Sequence, residues 1–258
     1  MKIFVLVKEV PDTYGDRRLD LETGLADRGA GEVVLDEITE RALEVALSHA
    51  DANPGTEVVA LSMAPESATA SVRRALAMGA SSAVQVVDEA LRGADLGTTA
   101  AVLAAAIRRD EPDLVLTGNL STDGTAGVLP AMLAEHLGIA QLTALSAVRI
   151  AEDAVSGTRA TDFGPQEVSA PLPAVVSITE ALPDARFPNF KGIMAAKKKP
   201  LEVLSLADLG VDVSPVAAPQ TIMTRVAEKP PRAAGVKIMD EGDAAAQLVD
   251  FLVQNRLV

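Results

Sequence analysis

The stretch LVLTGNLSTDGTAGVLPAMLAEHLG, residues 114–138, passes from one kind of structure to another in a single run. Leu114-Val115-Leu116 is a short continuous apolar segment, the pattern of a strand covered on both faces. It runs into Gly118, then a small polar loop from Asn119 to Gly124. A helical pattern follows, beginning near Thr125 and closing at Gly138. A buried strand, a loop and a helix in that order make one unit of a parallel sheet.

Working outward, the same alternation fills the first 140 residues. KIFVLVK (2–8), TEVVALS (56–62) and AVQVV (83–87) are further Val- and Leu-rich runs bounded by turn residues. Between them DEITERALEVALSHA (36–50) places Ile38, Ala42, Leu43, Val45 and Ala46 broadly on one side of a helix. ESATASVRRALAMGA (66–80) ends its helix at Gly79, and ADLGTTAAVLAAAIRRD (94–110) ends in two Arg, which suit a helix C-terminus. Alternation at this spacing implies an α/β fold, a parallel sheet with helices on both faces.

Beyond residue 140 the pattern changes. LTALSAVRI, SGTRATDF, EVSAP and AVVSI are short runs that suit antiparallel additions to the sheet, while 181–200 has no clear periodicity. From 211 to 235 Pro recurs without a core pattern, as in an extended arm, and DEGDAAAQLVDFLVQNRLV resembles an amphipathic helix. The division expected is 1–210 as the α/β domain and 211–258 as arm and helix. Such an arm either wraps a second subunit or folds back on its own domain, and the pattern does not choose.

Composition narrows the chemistry. Of 258 residues 48% are hydrophobic but only 2% aromatic, so the core is built from small aliphatic side chains. A net charge of −13 argues against general binding to nucleic acid or an anionic membrane. The absence of Cys removes disulfides, thiolate catalysis and Cys-bound zinc, and the two His, His49 and His136, both sit in helical patterns. The opening MKIFVLVKEV is too short for a signal peptide and no apolar window is long enough to span a bilayer, so a cytoplasmic setting is expected.

The loop after Gly118 lies where open α/β sheets bind ligands, outside the carboxyl end of a parallel strand. Amides at a helix start lack intrahelical partners and sit in partial positive charge, which suits a phosphate. Gly124 and Gly127 permit close approach of backbone, and the Thr125 hydroxyl is a donor. No GxGxxG and no GxxxxGK[ST] occurs. The plain alternative is a solvated turn whose Thr and Asp cap the helix. Asp123 would repel a phosphate unless its side chain turns away or caps an amide. Leu6-Val7-Lys8 and Ser62-Met63-Ala64 close the first two long strands and would converge on the same crevice, with Met63 as an apolar wall. Neither His has an evident catalytic partner and no GxSxG elbow occurs, so a carrier, sensor or structural role is expected rather than catalysis.

Several segments in order carry a resemblance: MKIFVLVKEVPD, RRALAMGA, DLVLTGNLSTDGT, LPAVVSIT, ARFPNFKGIMAAKKKPLEV with ADLGVD close behind, and PPRAAGVKI (230–238). Together they resemble the β subunit of electron-transfer flavoprotein across nearly the whole chain. The resemblance implies a Rossmann-like fold of the adenine nucleotide α-hydrolase kind. It also implies a heterodimer with an α subunit that carries most contacts to the redox-active FAD, and a structural AMP in the crevice of this chain. By position, AMP would meet Leu6, Val33, Asp36, Met63 and the loop Asn119-Leu120-Ser121-Thr122-Asp123-Gly124-Thr125-Ala126-Gly127-Val128. The family usually has Asn-Pro-Phe-Asp where this chain has Val33-Val34-Leu35-Asp36, which puts a side-chain contact from Val33 in doubt. Thr125-Ala126-Gly127 also lacks a Gln often found nearby.

The resemblance further implies a docking loop for acyl-CoA dehydrogenases and similar flavoenzymes, with electrons passing on to electron-transfer flavoprotein:quinone oxidoreductase. The usual Arg-Tyr-Pro-Ser-Leu-Pro-Gly-Ile-Met is here Arg186-Phe187-Pro188-Asn189-Phe190-Lys191-Gly192-Ile193-Met194. Phe190 thus takes the anchor position usually held by Leu. Phe187 is expected to pack into its own loop or core, and Lys197–Lys199 to flank the docking surface in solvent. Two other readings compete: a bifurcating relative with a second FAD in the crevice, and a stand-alone adenine-nucleotide sensor.

Overall fold

The apolar runs form the strands expected of them. In the computed structural model, which describes residues 1–211, 221, 223–232, 234–235 and 237–258, β1 is Lys2–Leu6 and is followed by a short ribbon, β2 (Glu9–Pro11) and β3 (Val33–Leu35). Then come α1 (Glu37–Ala52), β4 (Glu57–Met63), α2 (Thr69–Met78), β5 (Ser82–Val86), α3 (Leu96–Arg108), β6 (Leu114–Gly118) and α4 (Leu129–Leu137). The chain continues through β7 (Ala140–Ile150), β8 (Ala154–Thr161), β9 (Gly164–Pro171), β10 (Ala174–Ile178), α5 (Phe190–Ala196) and β11 (Leu201–Leu204). The main sheet has the order β11-β5-β4-β1-β6-β10-β7-β8-β9. Pairing is parallel from β11 through β7 and antiparallel from β7 to β9. The fold is α/β and Rossmann-like, as expected.

Period-two alternation divides the core between the two faces. Ile3 and Val5 of β1 pack with Leu43 and Ala46 of α1 and Leu76 of α2. Phe4 and Leu6 pack with Val102, Leu103 and Ile107 of α3 and Leu133 of α4. Phe4 is the one phenylalanine inside; Phe163, Phe187, Phe190 and Phe251 are exposed.

Two local expectations are corrected. The run AVVSI is not an antiparallel addition: as β10 it lies parallel between β6 and β7, with all five residues buried. Its apolar character, broken only by buried Ser177, reflects cover on both faces, which is a feature of central parallel strands. The helix after the Gly118 loop begins at Leu129, not near Thr125. Thr125 and Gly127 have φ of +53° and +68°, left-handed values that cannot continue a right-handed helix. For a β-branched Thr this conformation costs about 1–3 kcal/mol and needs its surroundings to hold it.

Met1–Thr224 and Arg225–Val258 are two separate compact units. The second contains the expected helix, Ala244–Gln254, in which no residue is buried and Leu248, Val249, Phe251 and Val253 are exposed. Of the expected arm, 211–235, residues 212–220, 222 and 233 lie outside the described residues, as do 233 and 236 of PPRAAGVKI.

Candidate functional site

Sheet order locates the crevice. From β1 the chain moves outward through β4 to β5, then crosses to the other side of β1 to form β6. The strand order therefore reverses between β1 and β6, and ligands of open α/β sheets bind outside the carboxyl ends at such a point. Leu6 and Gly118 end those two strands, and Met63 ends the neighbouring β4. Leu6 is buried in the core, so only its backbone can face the crevice, while half-buried Met63 packs at the edge of the same cluster. Gly118 is required by packing, because a Cβ there would lie 2.9 Å from Ile38 Cγ2.

Asp36 ties these strand ends together. Its amide donates to the Lys8 carbonyl at 2.8 Å. Its fully buried carboxylate caps α1 through Oδ1, accepting from the amides of Ile38 (3.0 Å) and Thr39 (3.2 Å). Oδ2 accepts from Thr122, from the amide at 2.8 Å and from the hydroxyl at 3.0 Å. Both oxygens are thus engaged by protein donors. Val33 sits three residues earlier, exposed, and paired with Pro11 at the far end of the β2–β3 ribbon from Asp36.

Asp123 directs its carboxylate at two cations rather than at a loop amide. Its Oδ1 pairs with Lys8 Nζ at 2.7 Å and its Oδ2 with Arg28 at 2.8 Å. Burial opposes ionisation of this group, but the hydrogen bond and charge of Lys8, the Ser121 hydroxyl and Arg28 outweigh it. The carboxyl is held well below the usual carboxylate range. Lys8 also donates to Ser121 Oγ at 3.2 Å, Arg28 to the Glu9 carbonyl at 2.8 Å, and Arg17 to the Thr122 carbonyl. Arg17 and Arg28 are absent from the sequence-based site. Both lie in the aperiodic segment between β2 and β3, Arg17 beside Arg18, and only the folded chain brings them to the loop.

The loop divides into two halves. In the first, Asn119 donates its amide to the Ile178 carbonyl (2.7 Å), and the Leu120 amide meets Asn119 Oδ1 (3.0 Å). Gly124 donates to Ser121 Oγ (3.2 Å) and Thr125 to the Ser121 carbonyl (2.9 Å). In the second, the amides of Ala126, Gly127 and Val128 donate to no acceptor among the described residues. Successive free amides beside left-handed backbone form a concavity that suits an anion, and the exposed residues 124–128 leave it open.

The second region is the loop before and within α5. Arg186 grips Glu44 of α1 with two guanidinium nitrogens, at 2.7 and 2.8 Å, and reaches Asp51 at 2.9 Å. The Arg186 amide adds a bond to Glu44 at 3.0 Å. Burial works against ionisation of Glu44, but Arg186 outweighs it and lowers its pKa. Arg41 bonds the Leu182 carbonyl and pairs with Asp184. Asn189 caps α5 by accepting from the Gly192 amide at 2.8 Å. Gly192 lets α5 meet α2, since a Cβ there would lie 2.4 Å from the Ala77 carbonyl oxygen.

Held from beneath, this loop turns its rings outward. Phe190 is 80% exposed and Phe187 85% exposed, with Ile193 and Met194 about half exposed beside them. Phe187 therefore does not pack into the core or its own loop. It borders a cleft of about 530 Å³ with Pro188, Ile193 and the α2 residues Ala70, Arg73 and Ala77. Lys191, Lys197 and Lys198 are exposed. Lys199 is not solvated as expected: its ammonium donates to the carbonyls of Leu76 (2.9 Å) and Ala80 (2.6 Å), at the end of α2.

No helix among the described residues is long and apolar enough to cross a membrane. Residues 23–209 match the family described as Electron transfer flavoprotein domain. The chain is 44% identical to the electron transfer flavoprotein subunit beta of Mycobacterium leprae, with 99% of both chains covered. It is 32% identical to the corresponding subunit of Syntrophomonas wolfei, over 95% of this chain and 93% of that one. It is also 32% identical, over the whole of both chains, to the caffeyl-CoA reductase-Etf complex subunit CarD of Acetobacterium woodii. The chain belongs to the electron transfer flavoprotein family, as one of its β subunits.

Proposed function

We propose that this electron-carrier subunit pairs with an α subunit, holds a structural AMP in the crevice between β1 and β6, and docks onto acyl-CoA dehydrogenase-type flavoenzymes through Phe190. FAD, housed mainly with the α subunit, carries the electrons when bound. They pass onward to a membrane quinone oxidoreductase. This chain's own residues bind the nucleotide, support the FAD domain and present the docking surface. Residues 211–258 serve as the arm and helix that wrap the α subunit.

The observation that carries the reading is Phe190. An 80%-exposed ring is costly to leave in water, yet its loop is fastened by Arg186 to α1 and by Gly192 to α2. A rigid loop presenting an apolar anchor with exposed lysines around it fits a small, quickly exchanging contact. The crevice fits the AMP phosphate because the Ala126–Val128 amides are free and Asp123 is neutralised by Lys8 and Arg28. The test is Phe190→Ala in the heterodimer. Electron acceptance from the dehydrogenase should fall while flavin content and subunit association stay unchanged. Loss of flavin or of association would assign the ring a structural role instead.

A second reading places a second FAD in the crevice. It draws on the full-length likeness to the Acetobacterium woodii subunit, named for a reductase–Etf complex. Two flavins per heterodimer would favour it over AMP.

A further inference from the structure

Asp36 stands among the residues expected to touch the nucleotide, yet its carboxylate is completely buried and both oxygens are occupied. We infer that Asp36 is a positioning residue: it does not bind the nucleotide but orients the anion-binding loop by fixing Thr122. The inference rests on the nucleotide reading of the crevice.

The geometry supplies the reason. A buried carboxylate beside an anion site would repel the ligand unless strongly compensated. Here the N-terminus of α1 provides two amides and partial positive charge for Oδ1. Oδ2 then draws both donors of Thr122 toward α1. With the Thr122 peptide fixed in this way, its neighbour Ser121 accepts from the amides of Gly124 and Thr125, which closes the turn. The donors of Thr122, Gly124 and Thr125 are spent on the protein, whereas the consecutive amides of Ala126, Gly127 and Val128 donate to no acceptor among the described residues. The same backbone anchors Asp36 to Lys8 at 2.8 Å, and Lys8 Nζ reaches Ser121 Oγ and Asp123. One buried carboxylate thereby sets where the loop amides stand relative to the end of β1. Deleting the Thr122 hydroxyl removes one of the two bonds to Oδ2 and leaves the fold's core untouched.

The experiment uses the α/β-subunit heterodimer depleted of nucleotide and titrated with AMP, comparing wild type with Asp36→Asn, Thr122→Val and Thr122→Ser. Thermal unfolding of each nucleotide-free protein is measured alongside. Asp36→Asn should weaken AMP binding at least tenfold, and Thr122→Val several-fold with little change in unfolding temperature. Thr122→Ser, which keeps the hydroxyl, should restore wild-type affinity. Thr122→Val with wild-type affinity, or Thr122→Ser as weak as Thr122→Val, overturns the inference while leaving the nucleotide reading intact. A wild-type heterodimer that takes up no AMP overturns the nucleotide reading and this inference with it.

Discussion

The crevice loop and the docking loop hang from the same helix, but they treat their exposed groups in opposite ways. At the crevice, α1 is entered through Asp36, which gathers Thr122 inward. Nearby charges neutralise one another as Asp123 with Lys8 and Arg28. What is left facing out is backbone amide. At the docking loop, Glu44 on the same helix grips Arg186, and the side chains left facing out are Phe187 and Phe190. A site for a small anion needs oriented donors, whereas a site for a partner surface needs apolar area on a stiff base. The contrast teaches that polar contacts can serve as scaffold in both places while the working groups differ.

The largest effect that should separate the two regions is Phe190→Ala. Removing a central aromatic anchor typically costs 2 kcal/mol or more, so kcat/KM for electron acceptance should fall roughly 30-fold. AMP content should not change; a drop in it would erase the distinction. Next is Gly192→Ala. The added methyl meets the Ala77 carbonyl at 2.4 Å and must push α5 from α2. Denaturant unfolding should show a loss of about 1–3 kcal/mol, with docking weakened and AMP affinity kept. Wild-type stability would mean that α5 is not seated by this contact.

The smallest effect sharpens the crevice side and concerns acid. The Asp123 carboxyl has a lower pKa folded than unfolded, so its contribution to stability is full above the ordinary carboxylate range, near pH 4. That contribution declines as pH falls through the folded value, and Glu44 follows the same sign. Between pH 5 and 8 Asp123→Asn should cost stability evenly. A cost that already faded near pH 6 would contradict the pairing with Lys8 and Arg28.

The parallel core was legible because continuous Val- and Leu-rich runs such as KIFVLVK can only be buried on both faces. AVVSI carried the same signal, but its place among alternating antiparallel runs obscured its seat between β6 and β7. The position of the crevice loop was legible from strand, loop and helix, but its length was not. The left-handed backbone of Thr125 is imposed by surrounding bonds and has no marker in a β-branched residue. The supporting contacts were the least legible. Arg28 and Asp123 are 95 residues apart and Arg186 and Glu44 are 142 apart, so no local pattern links them. Phe187 was misplaced because an isolated ring in an aperiodic loop looks the same in sequence whether it faces in or out.

The most direct test of the account is to purify this subunit with its α partner, denature the complex, and identify and count every nucleotide released. One AMP and one FAD per heterodimer is the predicted result. Two FAD and no AMP would contradict it.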